Sequence, residues 1–151
     1  KRVMKWAPNA TAGTLLINMT ASNLSTISVS ALRLVKNSPN QVYLGDMGNG
    51  KVYLWSFGST NPDLILNQVR NSTALSSPWS LILDQDGNLY VGENGGKGRI
   101  VRYCPNSTIG EIIVDDSNGN SAMRKVGIAF DSQQNLYALL GNGKVIKYAL
   151  I

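Results

Sequence analysis

The carboxylates of Asp46 and Glu93 are the side chains whose type and spacing could support chemistry in this chain. They follow two similar apolar segments, Val42–Gly45 and Leu89–Gly92, at an interval of 47 residues. Paired carboxylates can hold Ca²⁺ through their oxygen atoms. The series breaks at its third copy, where Leu140 stands in place of the acid. The pattern predicts either a shared cation site or, as we expect, acidic residues that accept hydrogen bonds within turns.

The remaining composition argues against catalysis. The 151 residues include no histidine, which excludes an imidazole general base, a serine–histidine pair and a histidine metal ligand. The glycine-rich loops lack the Gly-Lys-Ser/Thr pattern of a phosphate-binding loop, so hairpin turns explain them better. We therefore predict a protein that is not an enzyme, with no catalytic residue, no metal and no cofactor.

The elements that must position these carboxylates recur along the chain. One segment recurs four times. Each copy opens with a base, alternates apolar with other residues and ends on an aromatic residue: Trp6, Trp55, Tyr103 and Tyr148. A second segment recurs at intervals of 47 residues, with tyrosines at positions 43, 90 and 137. A fixed period of this size indicates a repeat architecture. Short segments of period two between turn residues predict an all-β fold. The repeated aromatic rings predict packing between repeats, and the alternative is a platform for carbohydrate or peptide.

One repeat unit, Pro78–Val114, reads as four short strands joined by turns. Its segment Pro78–Gly96 contains a proline, a short strand, Asp, Asp-Gly-Asn, an aliphatic residue, Tyr-Val, an acid and a Gly/Asn loop. This order resembles the NHL repeat, and the match is weaker over 34–55 and intermediate over 126–148. The resemblance implies NHL-like β-propeller blades, each of four antiparallel strands. It implies no single activity.

The repeat divides one domain into a partial blade (1–29), two whole blades (30–76 and 77–122) and a second partial blade (123–151). About three blades would be incomplete as a closed ring, because propellers close with about 4–8 blades. The chain is then a fragment of a longer protein, an oligomer whose copies complete each other's blades, or an open stack. Within the first whole blade, residues 61–76 are predicted to carry one short helix.

The two ends of such a chain are different surfaces, and both present open blade edges to other copies of itself. Their contact would be head to tail, which gives a closed ring or a filament, and we favour the filament. We therefore predict a structural or protein-interaction module that self-assembles, with an extracellular protein or carbohydrate as a further candidate ligand. The alternative is a fragment of a larger NHL-type propeller enzyme, a lyase or hydrolase, whose catalytic residues lie outside this segment.

Five N-x-[ST] triplets predict N-linked glycans and a secreted, extracellular protein. Their asparagines are Asn9, Asn18, Asn23, Asn71 and Asn106. Two of them occupy the same predicted turn between the third and fourth strands of a blade, in the pattern Pro-Asn-x-Thr-x-Gly. The alternative is chance, because a chain rich in Asn, Ser and Thr produces such triplets without modification.

The net charge of +5 does not identify an anionic partner. Bases recur on the third strand of each repeat, Arg99 among them, and we interpret them as a solvent-facing edge; no nucleic-acid motif accompanies them. No apolar run reaches the roughly 18 residues of a transmembrane helix, so we predict no membrane span. Cys104 is the single cysteine. We expect it to be a small buried apolar residue, and pairing between chains is the alternative.

Overall fold

The computed structural model describes residues 1–20, 24, 26–94, 98–115 and 127–149. Within these ranges the chain forms fourteen β-strands and no helix, so the all-β prediction is confirmed. The strands form four separate sheets, numbered 1 to 4 in chain order. No helix in the described part of the chain is long and apolar enough to cross a membrane.

Sheets 1 and 2 are antiparallel and follow chain order. Sheet 1 consists of β1 (Arg2–Lys5) and β2 (Thr14–Asn18). Sheet 2 consists of β3 (Val29–Leu34), β4 (Gln41–Asp46), β5 (Lys51–Ser56) and β6 (Leu64–Leu66). Each strand of sheet 2 pairs with the next along the chain, as short turns between alternating segments dictate.

Sheets 3 and 4 repeat this arrangement. Sheet 3 contains β8 (Pro78–Leu83), β9 (Leu89–Glu93), β10 (Ile100–Tyr103) and β11 (Ile109–Val114). Sheet 4 contains β12 (Gly127–Phe130), β13 (Leu136–Leu139) and β14 (Val145–Tyr148). Both sheets are antiparallel through these strands.

A fifth strand, β7 (Gln68–Val69), joins the edge of sheet 3 beside β11 and runs parallel to it. The backbone N–H of Arg70 extends this pairing by donating to the carbonyl of Gly110 at 2.8 Å. The strands β6 and β7 occupy the segment 61–76, so the predicted helix there is wrong. The pairing of this segment with sheets 2 and 3 satisfies its backbone, and that tertiary pairing overrides its local preference.

Three hydrophobic cores separate the four sheets. The first, which includes Ile17 and Trp55, lies between sheets 1 and 2. The second, which includes Val52 and Tyr103, lies between sheets 2 and 3, and the third, around Tyr90, lies between sheets 3 and 4. Because successive side chains of a strand point to opposite faces, one strand contributes to two cores. Each inner sheet is therefore covered on both faces.

The first strands of sheets 2, 3 and 4 lie side by side. The hydroxyl of Ser30 in β3 donates to the carbonyl of Pro78 in β8, and the hydroxyl of Ser80 in β8 accepts from the backbone N–H of Ile128 in β12 at 3.2 Å. Both bonds join residues 48 apart in sequence. The sheets thus follow one another with a constant step, which places equivalent residues of each repeat at equivalent positions.

Candidate functional site

Asp46 ends the second strand of sheet 2 and is completely buried. Its Oδ1 accepts from the backbone N–H groups of Ser28 at 2.9 Å, Gly48 at 3.1 Å and Asn49 at 3.3 Å. Its Oδ2 accepts from Asn49 Nδ2 at 2.7 Å and the Tyr53 hydroxyl at 3.4 Å. The carboxylate therefore binds the β4–β5 turn and the segment that enters β3.

Glu93 takes the equivalent place in sheet 3 and is also buried. Its Oε1 accepts from the backbone N–H of Ser76 at 2.6 Å and the hydroxyl of Ser76 at 3.2 Å. Its Oε2 forms a buried ion pair with Arg99 Nε. Ser28 and Ser76 both precede the first strand of their sheet, so each carboxylate fixes the segment that enters that strand.

Arg99 extends the Glu93 site into the segment between sheets 2 and 3. Its Nη1 donates to the hydroxyl of Ser72 at 2.9 Å, and its Nη2 donates to the carbonyls of Thr73 at 2.9 Å and Ala74 at 2.7 Å. The interpretation of this base as part of a solvent-facing edge is wrong, because Arg99 is 2% exposed. The planar guanidinium can bind a carboxylate and several carbonyls at once, which an ammonium cannot do with the same geometry.

These contacts give both carboxylates a structural role and bring them to separate sites. Asp46 and Glu93 share no hydrogen-bond donor within the described residues. The same part of the chain contains no group of three or more acidic, cysteine or histidine side chains that could hold a metal ion. Leu140, at the equivalent place of sheet 4, is buried in the core between sheets 3 and 4. An apolar side chain therefore suffices at this position when the ionic partners are missing.

Two buried tyrosines next to these sites have shifted pKa values. Burial, with smaller effects from the charge and hydrogen bond of Asp46, raises the pKa of Tyr53 to about 12. Burial is also the main reason that the pKa of Tyr103 is raised, and its hydroxyl donates to the carbonyl of Gln68 in β7 at 3.0 Å. Both phenols stay neutral at physiological pH, which favours a packing role over a role in proton transfer.

The outer face of sheet 1 is formed by Trp6, Met4 and Leu15. The residues equivalent to Trp6 in sheets 2 and 3 are Trp55 and Tyr103, and both are buried against the preceding sheet. Trp6 is 60% exposed, and Leu15, which pairs across from Met4, is 51% exposed. Sheet 1 therefore exposes to solvent the face whose equivalents in sheets 2 and 3 are covered by a preceding sheet.

The outer face of sheet 4 is formed by Tyr137, Leu139, Val145 and Lys147. Leu139 pairs with Val145, and Tyr137 pairs with Lys147, whose ammonium lies 5.6 Å from the ring centre. Leu139 is 50% and Val145 63% exposed. In sheet 3 the equivalent face carries Tyr90, which is buried against sheet 4 with its ring edge-on to Phe130. Sheet 4 thus exposes the face that sheet 3 buries.

Four sequon asparagines lie in the described part of the chain, and Asn23 lies outside it. Asn9 and Asn106 are exposed and occupy the turns β1–β2 and β10–β11, with φ of 59° and 62°. In each turn the backbone N–H of the residue after the asparagine donates to the carbonyl of the residue two places before the asparagine. Proline stands immediately before the asparagine, so the turn is of type II. Asn71, with φ of 53°, and Asn18 are also exposed.

Cys104 begins the same turn as Asn106 and is exposed, so the expectation of a buried cysteine is wrong. Its position explains the difference. β10 ends at Tyr103, which points into the core between sheets 2 and 3, and Cys104 lies beyond the strand in the turn.

Comparison with known proteins shows the fold alone. No family model and no curated protein matches this sequence. Among solved structures, the chain is similar to one described as the crystal structure of the computationally designed Ika4 protein. The TM-score is 0.53 at 18% sequence identity, and the alignment covers 82% of this chain and 67% of the designed one.

Proposed function

We propose that this chain is a section of an NHL-like β-propeller from a secreted glycoprotein, and that it acts as a structural module that joins other copies head to tail. The observation that carries the proposal is the pair of outer faces. The face around Trp6 is equivalent to the faces of sheets 2 and 3 that pack against the preceding sheet. The face around Leu139 and Val145 is equivalent to the face of sheet 3 that packs against the following sheet.

The order of the sheets supports the propeller. Sheets 2, 3 and 4 follow chain order, their first strands lie side by side, and a hydrophobic core fills each space between neighbours. A radial array of small antiparallel sheets is the arrangement that defines propeller blades. The chain departs from the NHL pattern at Leu140, where an apolar residue replaces the acid of the loop.

The two outer faces favour head-to-tail association. They are different surfaces, so a contact between them is heterologous and closes into a ring or continues as a filament. Each contains neighbouring exposed apolar side chains, Trp6 and Leu15 in one and Leu139 and Val145 in the other, and such patches mark interaction sites. Adding the Leu139 face of one copy to the Trp6 face of another would continue the step that already relates sheets 2, 3 and 4.

The sequons support secretion. All four described sequon asparagines are exposed. Two of them lie on the turns β1–β2 and β10–β11, at the ends of strands.

Sedimentation velocity of the whole chain and of two face variants tests the proposal. We expect the natural chain to form species larger than a monomer, and Trp6→Asp and Val145→Asp each to be monomeric and folded. Leu34→Asp is the matched control, since Leu34 is also 60% exposed but lies outside both faces. We expect this control to associate as the natural chain does.

Mixing the two face variants makes the test specific for a heterologous contact. The Trp6→Asp chain keeps its Leu139 face, and the Val145→Asp chain keeps its Trp6 face. An equimolar mixture should therefore form dimers and nothing larger. A natural chain that stays a compact monomer at micromolar concentration would contradict the assembly, as would a longer polypeptide that covers both faces itself.

A further inference from the structure

A groove of about 570 Å³ lies between sheets 3 and 4, on the side of the β8–β9 and β12–β13 turns. Its volume is within the range of about 300–1,000 Å³ that is usual for small-molecule sites. Its apolar lining includes the partly exposed rings of Phe130 and Tyr148, with the buried Tyr90 behind them, and its rim is polar. The groove is distinct from the outer faces, because both of its walls belong to sheets that are packed together.

The rim is rigid because two equivalent turns form it. Asp84 Oδ1 accepts from the backbone N–H groups of Asp86 at 3.0 Å and Asn88 at 2.8 Å. Asp131 Oδ1 does the same for Gln133 and Asn135, both at 2.9 Å. These bonds fix the turns before any ligand arrives, which lowers the entropic cost of binding.

The two turns are also tied to each other across the groove. The backbone N–H of Gln85 donates to Gln134 Oε1 at 3.3 Å. This bond uses the oxygen of the Gln134 amide. Within the described residues it leaves the NH₂ group of Gln134 without an acceptor and the exposed carboxylate of Asp86 without a donor. The rim therefore offers both a donor and an acceptor to the groove.

Arg102 supplies a further donor. Its Nη2 donates to Glu111 Oε2 at 3.1 Å, and its side chain is 34% exposed and lines the groove. The guanidinium carries five N–H groups in a planar fork, so a ligand in the groove can accept from those that Glu111 does not use.

These features select a ligand class. A hydroxyl group both donates and accepts, so vicinal hydroxyls can bond to the Gln134 amide, the Asp86 carboxylate and the Arg102 guanidinium together. The apolar faces of a sugar ring can pack on the aromatic rings below. An anion is disfavoured, because Asp84 and Asp86 line the same groove. A peptide that adds a strand needs a free sheet edge, whereas the strands that carry Tyr90 and Arg102 are paired on both sides.

From this geometry we infer that the groove between sheets 3 and 4 binds a neutral oligosaccharide. The Arg102 guanidinium and the Gln134 amide donate to ring hydroxyls, the Asp86 carboxylate accepts from one, and the partly exposed aromatic rings hold the apolar face of the sugar.

The test is a titration of the ¹⁵N-labelled whole chain with neutral gluco-, manno- and N-acetylglucosamine oligosaccharides, followed by NMR. We expect at least one series to shift the resonances of Arg102, Gln134 and their neighbours with saturation at millimolar concentration or below. The variants Arg102→Gln and Gln134→Ala should each weaken binding at least tenfold. Gln68→Ala is the matched control, because Gln68 is an exposed residue of β7 outside the groove, and it should bind as the natural chain does.

Three results would overturn the inference. These are the absence of groove shifts with every neutral series, equal binding by Gln134→Ala and the natural chain, and tighter binding of inorganic phosphate or of an acidic peptide at the same residues. Gln134 lies on a turn outside the hydrophobic cores, so its variant decides the question if Arg102→Gln fails to fold.

Discussion

The indole of Trp6 lies across Gly13 in the same way that the ring of Tyr103 lies across Gly110. A Cβ atom on Gly13 would stand 2.7 Å from Trp6 Cε2, and one on Gly110 would stand 2.7 Å from Tyr103 Cζ. Tyr103 is nevertheless 1% exposed and Trp6 60%. The local arrangement is the same in both sheets, so the difference comes from the neighbour: sheet 2 and β7 cover Tyr103, and no described residue covers Trp6 to a similar extent.

Gly110→Ala should destabilise the protein. The added Cβ would stand 2.5 Å from Val101 Cγ1 and 2.7 Å from Tyr103 Cζ, inside a packed core. Overpacking of this kind costs about 1–3 kcal/mol, measurable as a loss in the free energy of unfolding in urea. Gly127→Ala is the control, since its Cβ would meet Leu139 at an ordinary 3.7 Å. Equal stability of the two variants would show that the ring of Tyr103 moves aside without cost.

Glu93→Gln should cost about 3–5 kcal/mol, because it leaves the buried Arg99 without a compensating charge. Glu111→Gln breaks ion pairs with Arg70 and Arg102 that are largely exposed, and should cost about 1 kcal/mol or less. Urea unfolding measures both. The double variant Glu93→Leu with Arg99→Leu should lose less than Glu93→Gln alone, as the apolar Leu140 of sheet 4 indicates. A larger loss in the double variant would contradict the argument.

Calcium should not stabilise this protein. The two oxygens of Asp46 already accept from five donors, and those of Glu93 accept from Ser76 and Arg99. A cation would have to displace these contacts before it could bind. Thermal unfolding with millimolar Ca²⁺ and with a chelator should therefore give the same midpoint. A rise in Tm with Ca²⁺ that is lost in Asp46→Asn would restore the cation site.

The sequence predicted the strands well because each carries its own signal. Alternation at period two and turn residues at a constant spacing do not depend on distant contacts. The two-residue β7 has no such signal, because it is a strand through its parallel pairing with β11, about 40 residues later in the chain. A segment whose structure depends on a distant partner was therefore predicted as a helix.

The exposure of single side chains was likewise predictable where it follows from the local sequence and unpredictable where it depends on distant contacts. The exposure of Cys104 follows from its place at the start of the predicted turn after Tyr103, so the sequence carried that signal. The burial of Arg99 depends on Ser72, Thr73 and Ala74, which belong to the connection between two sheets. No repeat pattern includes those contacts, and the recurrence of a base on the third strand of each repeat pointed to exposure.

Alkaline pH should destabilise the protein between pH 10 and about 12. Because the folded pKa of Tyr53 lies above its ordinary value of 10.0, the unfolded chain loses this proton first as the pH rises. The stabilisation is present below pH 10 and is lost as the pH rises through the folded pKa of about 12. The raised pKa of Tyr103 acts in the same direction. Urea unfolding across this range should show that the free energy of unfolding falls less steeply with pH in Tyr53→Phe than in the natural chain. Equal pH dependence in the two proteins would contradict the raised pKa of Tyr53.

Protein from its native source should carry sugar on Asn9 and Asn106. Both asparagines are exposed and lie, with positive φ, at the third position of a type II turn. The equivalent turn of sheet 2 has Gly58 at this position with φ of 83°, so it provides an internal control that lacks an acceptor. Release of the glycans by an amidase should convert both asparagines to aspartate, and peptide mass spectrometry before and after treatment detects that change. Unmodified asparagine at both positions would remove the main support for secretion, whereas the fold and the association through the outer faces would stand on their own tests.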